Sequence, residues 1–280
     1  MSDKRNELKP VPSRVRLLER DMDKLPILET HHLGIDFGGL TAVNEFELTI
    51  GRTEITGLIG PNGAGKTTVF NLLTNVYKPT RGTILLDGKS TAGMSTVKLN
   101  RMGIARTFQN IRLFKDMSVI DNVLVGLHYQ IDYGLGTSIF RLPRFFSEEK
   151  KAREKALELL SIFDMADMAD TKSGSLPYGA QRRLEIVRAL ATDPCLLLLD
   201  EPAAGMNPME TEELMENIVR IRDMFQIAIL LIEHDMKLVM GICEVIGVLN
   251  FGQLIAKGTP DEIQSNPAVI EAYLGKQKEE

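Results

Sequence analysis

The stretch Gly60-Pro61-Asn62-Gly63-Ala64-Gly65-Lys66-Thr67-Thr68 constrains this chain more than any other. The apolar run Ile55-Thr56-Gly57-Leu58-Ile59 precedes it and reads as a buried strand; Thr68-Val69-Phe70-Asn71-Leu72-Leu73 follows and reads as a helix. G-x-x-x-x-G-K-T between a strand and a helix is the spacing of a phosphate-binding loop. Glycines let the backbone turn tightly and approach an anion with no Cβ in the way. Backbone N–H groups of Asn62, Gly63, Ala64, Gly65 and Thr68 then converge on phosphates, aided by the positive end of the helix. Lys66 adds a charge with reach to the β- and γ-phosphates. Thr67 offers a hydroxyl to Mg²⁺, a hard cation that prefers oxygen.

Composition narrows what the bound nucleotide can be for. The 280 residues are 44% hydrophobic and 25% charged, an ordinary globular mixture. The net charge of -5 makes no general case for nucleic-acid binding. No run reaches the roughly 18 apolar residues of a membrane span. The two cysteines, Cys195 and Cys243, sit in apolar runs and form neither a disulfide framework nor a metal site. The polar N-terminus lacks the apolar stretch of a signal peptide. The expectation is a cytoplasmic protein whose membrane role, if any, comes through a partner.

Met1 to Leu25 is a mixed-charge lead interrupted by Pro10 and Pro12 and reads as a flexible extension, residues 1–26. Ile27 to Thr49 alternates and turns, which predicts two or three antiparallel strands. Thr83-Ile84-Leu85-Leu86, closed by Asp87-Gly88, is a further strand with a turn. Between Gln109 and Arg183 the pattern turns helical. Glu149 to Phe163 is the clearest helix, with Ala152, Ala156, Leu159, Leu160 and Phe163 on one face. Ahead of it, Tyr129, Tyr133, Phe140, Phe145 and Phe146 interleave with Arg141 and Arg144; in an acidic chain this reads as a hydrophobic lid rather than a base-stacking surface. Cys195 to Leu199 and Ile227 to Ile232 are apolar on both faces, as central parallel strands are. A helix is predicted from Met209 to Met224, a hairpin around Asn250-Phe251-Gly252-Gln253, and short helices near Pro260 and Pro267.

The chemistry-bearing residues fall at strand ends. Asp200 and Glu201 close the leucine-rich strand, at the sheet edge where open α/β proteins bind ligands. There Asp200 would hold Mg²⁺ through a water, with Thr67 and Gln109 as further oxygen donors. Glu201 would activate the attacking water as general base. His234 ends the next apolar strand, within reach of a γ-phosphate, and Gln109 offers donor and acceptor to metal or water. Tyr178-Gly179-Ala180 opens a helix whose N-terminus is a second anion site. One phosphate loop and two phosphate-seeking surfaces per chain imply a dimer in which each second site closes over the other chain's nucleotide.

Taken together, these stretches resemble the ATP-binding-cassette (ABC) subunits of membrane transporters over about Ile27 to Gly275. The resemblance implies an α/β P-loop NTPase fold with a RecA-like core, an antiparallel β subdomain and an inserted α-helical subdomain. The ATPase domain would run over 27–250, with the helical part at about 110–185, and residues 251–280 would close it. It implies ATP and Mg²⁺ as ligands and ATP hydrolysis as the reaction. Phe37 takes the place of the aromatic ring that stacks on adenine, with Val43 beside it. Gly60 to Thr68 is then the Walker A loop, with Lys66 in its catalytic place, and Gln109 the Q-loop residue. Leu176 to Ala180 is the signature, Leu196 to Asp200 Walker B, Glu201 the catalytic glutamate, Ala203 to Asn207 the D-loop and His234 the switch histidine. Phe37 to Val43, Arg106 to Phe114, Tyr178 to Ile186, Glu201 to Pro208, Glu233 to Met240 and Ala272 to Gly275 are most similar to the larger ATPase subunit, the LivG type, of branched-chain amino-acid importers.

That likeness implies a dimer partner (a second copy or a second cassette subunit), transmembrane permease subunits, an indirect link to a solute-binding protein, and a place on the inner face of the cell membrane. No nucleic acid is expected. Phe108, Leu113, Phe114 and Met117 lie where such subunits dock a permease helix. A urea or amide importer and a non-transport ATP switch with low hydrolysis stand as alternatives. Three positions depart from the usual pattern: Pro177 for a serine, Ala180 for a glutamine and Asn207 for an aspartate. Loss of the serine hydroxyl removes one donor to a γ-phosphate.

Overall fold

The computed structural model describes residues 26–130 and 143–274. Five strands form an antiparallel sheet: β1 (Leu28–Phe37), β2 (Leu40–Phe46), β3 (Thr49–Ile50), β5 (Arg81–Leu86) and β6 (Lys89–Ser90), in the order β2-β1-β5-β6 with β3 also on β1. Asp87 and Gly88 both take positive φ between β5 and β6, the geometry the Asp-Gly pair favours in a tight hairpin.

A second sheet carries the strands that were apolar on both faces. It runs β11 (Gln253–Gly258), β10 (Val245–Asn250), β4 (Ile55–Ile59), β9 (Ala228–Ile232), β8 (Leu196–Asp200), β7 (Ile104–Arg106). All neighbours are parallel except the β10–β11 hairpin. Every residue of β4, β8 and β9 is buried, because both faces of the sheet are covered. Leu197, Leu199, Ile229 and Leu231 face one core, shared with α3 (Val119–Leu127), α5 (Tyr178–Leu190) and α6 (Pro208–Phe225). Leu196, Leu198, Leu230 and Ile232 face the other, shared with α1 (Lys66–Leu73) and the antiparallel sheet. Each such leucine contributes about 1.5–3 kcal/mol by burial. Parallel strands begin at one edge and end at the other, so Leu58, Ile232 and Asp200 stand in one row across three strands. The residues that follow them share the same edge.

Helix α4 (Pro143–Ser161) begins six residues earlier than its amphipathic pattern predicts, but the predicted face is the buried one: Ala152, Ala156, Leu159, Leu160 and Phe163 are at most 1% exposed. Helices α2 (Thr96–Met102) and α7 (Met236–Ile242) escaped the sequence reading. Each is seven residues long, too short to display a 3.6-residue period, and each is started by a side-chain cap, Ser95 and Asp235 respectively. The two predicted C-terminal helices are α8 (Pro260–Gln264) and α9 (Pro267–Leu274). The N-terminal lead, Tyr133, Phe140 and Arg141 lie outside the described residues.

Candidate functional site

The loop after β4 turns through positive φ at Gly60, Gly63 and Gly65, and α1 starts at Lys66. A Cβ at Gly60 would meet the Leu249 carbonyl oxygen at 2.0 Å, so the loop's entry admits only glycine. A Cβ at Gly63 would meet nothing within 4 Å, so its positive φ of 79° rather than crowding favours glycine there. The Lys66 ammonium lies across the loop and donates to the Gly60 and Pro61 carbonyls at 2.6 and 3.1 Å. Thr67 is exposed, while Ala64 is buried and supports the loop from behind: its carbonyl accepts the Gly252 N–H at 2.8 Å.

Glu201, first residue after β8, sits at φ 48°, a costly region for a non-glycine residue. Its N–H donates to the Ile232 carbonyl at 2.9 Å, which ties it to the end of β9. Gln109 Nε2 donates to Glu201 Oε2 at 2.9 Å, and His234 Nε2 lies 3.2 Å from Glu201 Oε1. Glu201, Gln109 and His234, given separate tasks at the phosphates, metal and water by the sequence reading, therefore converge, although they stand far apart in the chain. Asp200 is 3% exposed, and its Oδ2 accepts from Arg106 Nη2 at 2.7 Å. Thr67, Arg106, Gln109 and Asp200 line one cavity of about 630 Å³.

Phe37 is 43% exposed and meets Tyr77 edge-on, centroids 5.3 Å apart at 74°. Val43, expected beside that ring, is completely buried in the core. The β1–β2 register shifts on either side of Ile35, and this irregularity turns both Val43 and Phe46 inward where regular alternation would separate them. A side chain with no accessible surface supports the base site but presents nothing to it.

Tyr178 is 46% exposed at the start of α5, while Gly179 and Ala180 are buried. None of the three lines the cavity that holds Thr67 and Asp200. Pro177 occupies the N-cap position with φ -54° and ψ 154°, and no side chain caps the helix. Proline is sterically at home there. Its cost is the missing hydroxyl.

Three connections were not anticipated. Arg182, fully buried on α5, donates to the Phe108 and Gln109 carbonyls at 2.5 and 2.6 Å and pairs with Glu185 at 3.0 Å. Glu233 accepts the Ala203 N–H at 2.7 Å, joining the segment before His234 to the segment after Glu201. Burial, with some help from the Glu201 charge, holds the Glu233 carboxyl above its usual value despite backbone N–H donors that lower it. The third is the Arg106–Asp200 pair. A charge inside an apolar helix face or at the end of a buried strand was the only sequence signal for any of them.

These residues fit a nucleotide that brings its own metal. The open glycine loop and the lysine suit phosphates. Among the described residues, no group of three or more His, Cys, Asp or Glu side chains could hold a metal ion alone. Thr67 and Asp200 supply only part of an oxygen set, as expected for Mg²⁺ completed by phosphate oxygens and water. Asn62, Gly63, Gly65 and Thr68 complete the loop that would surround the anion.

Comparison with known proteins gives a consistent picture. Residues 43–204 match the ABC transporter family, and residues 253–279 match the branched-chain amino acid ATP-binding cassette transporter family. The chain is 50% identical over 250 residues to the high-affinity branched-chain amino acid transport ATP-binding protein LivG of Escherichia coli (strain K12), covering 89% of this chain and 98% of that one. It is 48% identical to the corresponding protein BraF of Pseudomonas aeruginosa, with the same coverage. Among solved structures, it resembles the ADP conformation of an ATP-binding cassette of an ABC transporter, with TM-score 0.78, 30% identity, and coverage of 90% of this chain and 100% of that chain.

Proposed function

The chain belongs to the ABC transporter family, and from that premise we propose that it binds and hydrolyses ATP to energise import of branched-chain amino acids through a membrane permease. The observation that carries the chemistry is Glu201, held between Gln109 and His234 at the sheet edge that also carries the phosphate loop. Glu201 accepts a proton from the attacking water, and a positioned general base of this kind contributes about 10²–10⁴-fold. Gln109 and His234 fix its carboxylate; His234, 47% exposed, also has reach to a γ-phosphate. Lys66 and the loop N–H groups hold the β- and γ-phosphates. Thr67, Asp200 and Gln109 would hold Mg²⁺, whose positive charge would offset negative charge on the phosphates. Phe37 stacks on the adenine.

The solute assignment rests on likeness to LivG and BraF and on the C-terminal match. The chain acts as one of two cassettes, either with a second copy or with a related subunit, and Tyr178 to Ala180 contribute to the partner's ATP. Permease contact is supported by a groove of about 610 Å³ lined by Phe108, Arg112, Leu113, Phe114, Val125 and Arg188. Phe114 is 49% exposed there, with the Arg188 guanidinium 5.7 Å from its ring centroid. Docking through this groove places the subunit on the inner face of the membrane. Steady-state ATPase of the protein and of Glu201→Gln tests the reading: the variant should keep nucleotide affinity and lose at least 100-fold in rate. Equal rates would overturn it.

A further inference from the structure

Arg106 ends β7, three residues before Gln109, and its side chain is only 7% exposed. A guanidinium stays charged at any pH a protein survives, so its burial requires partners. It has them. One terminal nitrogen donates to Asp200 Oδ2 at 2.7 Å; the other donates to Asn71 Oδ1 at 2.7 Å and approaches Thr74 Oγ1 at 3.4 Å. The Phe70 and Phe108 rings lie at 5.4 and 5.1 Å. Asn71 is one helical turn beyond Thr67 on the same face of α1, so the cation sits one turn from the hydroxyl assigned to the metal. Arg106 Nε is buried with no hydrogen-bond partner among the described residues, and Arg106 lines the same cavity as Thr67 and Asp200. Nothing in the reading of Asp200 as a metal-site carboxylate calls for a permanent cation beside it.

We propose that Arg106 is a built-in counter-ion of the nucleotide site, neutralising Asp200 so that a nucleotide binds before or without a divalent metal. An unpaired Asp200 carboxylate would face incoming phosphates with like charge in a partly desolvated cavity, where such repulsion is strong. The Arg106 guanidinium cancels that charge and fixes one carboxylate oxygen, leaving the other for metal-bound water. When Mg²⁺ arrives with the nucleotide it supplies positive charge of its own, and the dependence on Arg106 falls. The inference rests on the nucleotide-site reading above.

Affinity for a fluorescent ATP analogue, measured with excess EDTA and again with excess Mg²⁺, separates the possibilities. Wild type should bind in both conditions. Arg106→Met should lose tenfold or more in EDTA and less than threefold in Mg²⁺. Equal loss in both conditions, or no loss in either, would overturn the proposal. Breaking a buried pair endangers folding, so Arg106→Met combined with Asp200→Asn is the second arm. Removing both charges should restore EDTA binding to within threefold of wild type, and a double variant as weak as Arg106→Met would also refute the idea. Failure of wild type to bind under either condition would instead defeat the nucleotide-site reading itself.

Discussion

Gly252, at the tip of the β10–β11 hairpin, joins three parts of the site. Its N–H donates to the Ala64 carbonyl at 2.8 Å, and its carbonyl accepts the Asn44 N–H at 2.9 Å. Its φ is 77°, and a Cβ there would lie 2.5 Å from the Ala42 oxygen, 2.9 Å from the Ala42 carbonyl carbon and 3.0 Å from Val43 Cα. All three obstacles are backbone, so Gly252→Ala must lift the hairpin off β2. The left-handed conformation costs about 1–2 kcal/mol for a residue with a Cβ. The two displaced hydrogen bonds cost about 0.5–1.5 kcal/mol each, more if the Ala64 carbonyl stays buried and unpaired. The total is about 2–5 kcal/mol, a fall in Tm of roughly 4–10 °C for a domain of this size. Because the bond lost belongs to the phosphate loop, affinity for an ATP analogue should fall with it. Gly88→Ala is the control: its φ is 69°, but a Cβ there meets nothing within 4 Å. It should cost about 1–2 kcal/mol and leave nucleotide affinity intact. Calorimetric Tm and fluorescence titration of both variants decide the matter. If Gly252→Ala melts within 2 °C of Gly88→Ala and binds nucleotide equally well, the hairpin is not a support of the loop.

Phe114→Asp places a charge in the groove assigned to the permease; it should abolish co-purification with permease subunits and leave ATP-analogue affinity unchanged, whereas lost nucleotide binding would mark Phe114 as core. Pro177→Ser restores a hydroxyl at the start of α5, and since one charge-assisted hydrogen bond is worth about 1.5–3 kcal/mol, single-turnover hydrolysis by the dimer should quicken by tenfold or more; an unchanged rate would show that Pro177 does not limit the site. For Glu233, burial keeps the proton on the folded protein at pH values where the unfolded chain, with its carboxyl near 4.5, has released it. Stability contributed by that proton is present below 4.5 and is lost as pH rises through the higher folded value. Glu233→Gln removes this slope, so urea midpoints of variant and wild type should shift in the variant's favour from pH 4 to pH 8, and parallel pH dependences would contradict the assignment.

How much of this was legible in the chain follows from where the signals lie. Strands β4, β8 and β9 announce themselves because a parallel strand covered on both faces is mostly apolar, and Leu196–Leu199, Ile229–Ile232 and the Ile and Leu residues of β4 say so locally. The phosphate loop, Glu201 and His234 were legible for the same local reason: each follows such a strand, and parallel order brings their C-terminal ends to one edge. The full burial of Val43 was not legible, because alternation holds only while register holds, and the shift around Ile35 is set by pairing with β1. The charged connections were illegible because they are made between motifs rather than within them. Arg106 and Asp200 are 94 residues apart, and Arg182 reaches back across 73 residues to the Gln109 carbonyl. A local pattern cannot encode such a pair, yet the pair fixes where one motif stands relative to the next. Buried ion pairs contribute little net stability, since desolvation offsets their attraction. Two of them at one nucleotide edge are therefore better explained by what they hold in place than by what they add to folding: Arg106 the carboxylate at the metal, and Arg182 the backbone from which Gln109 reaches Glu201.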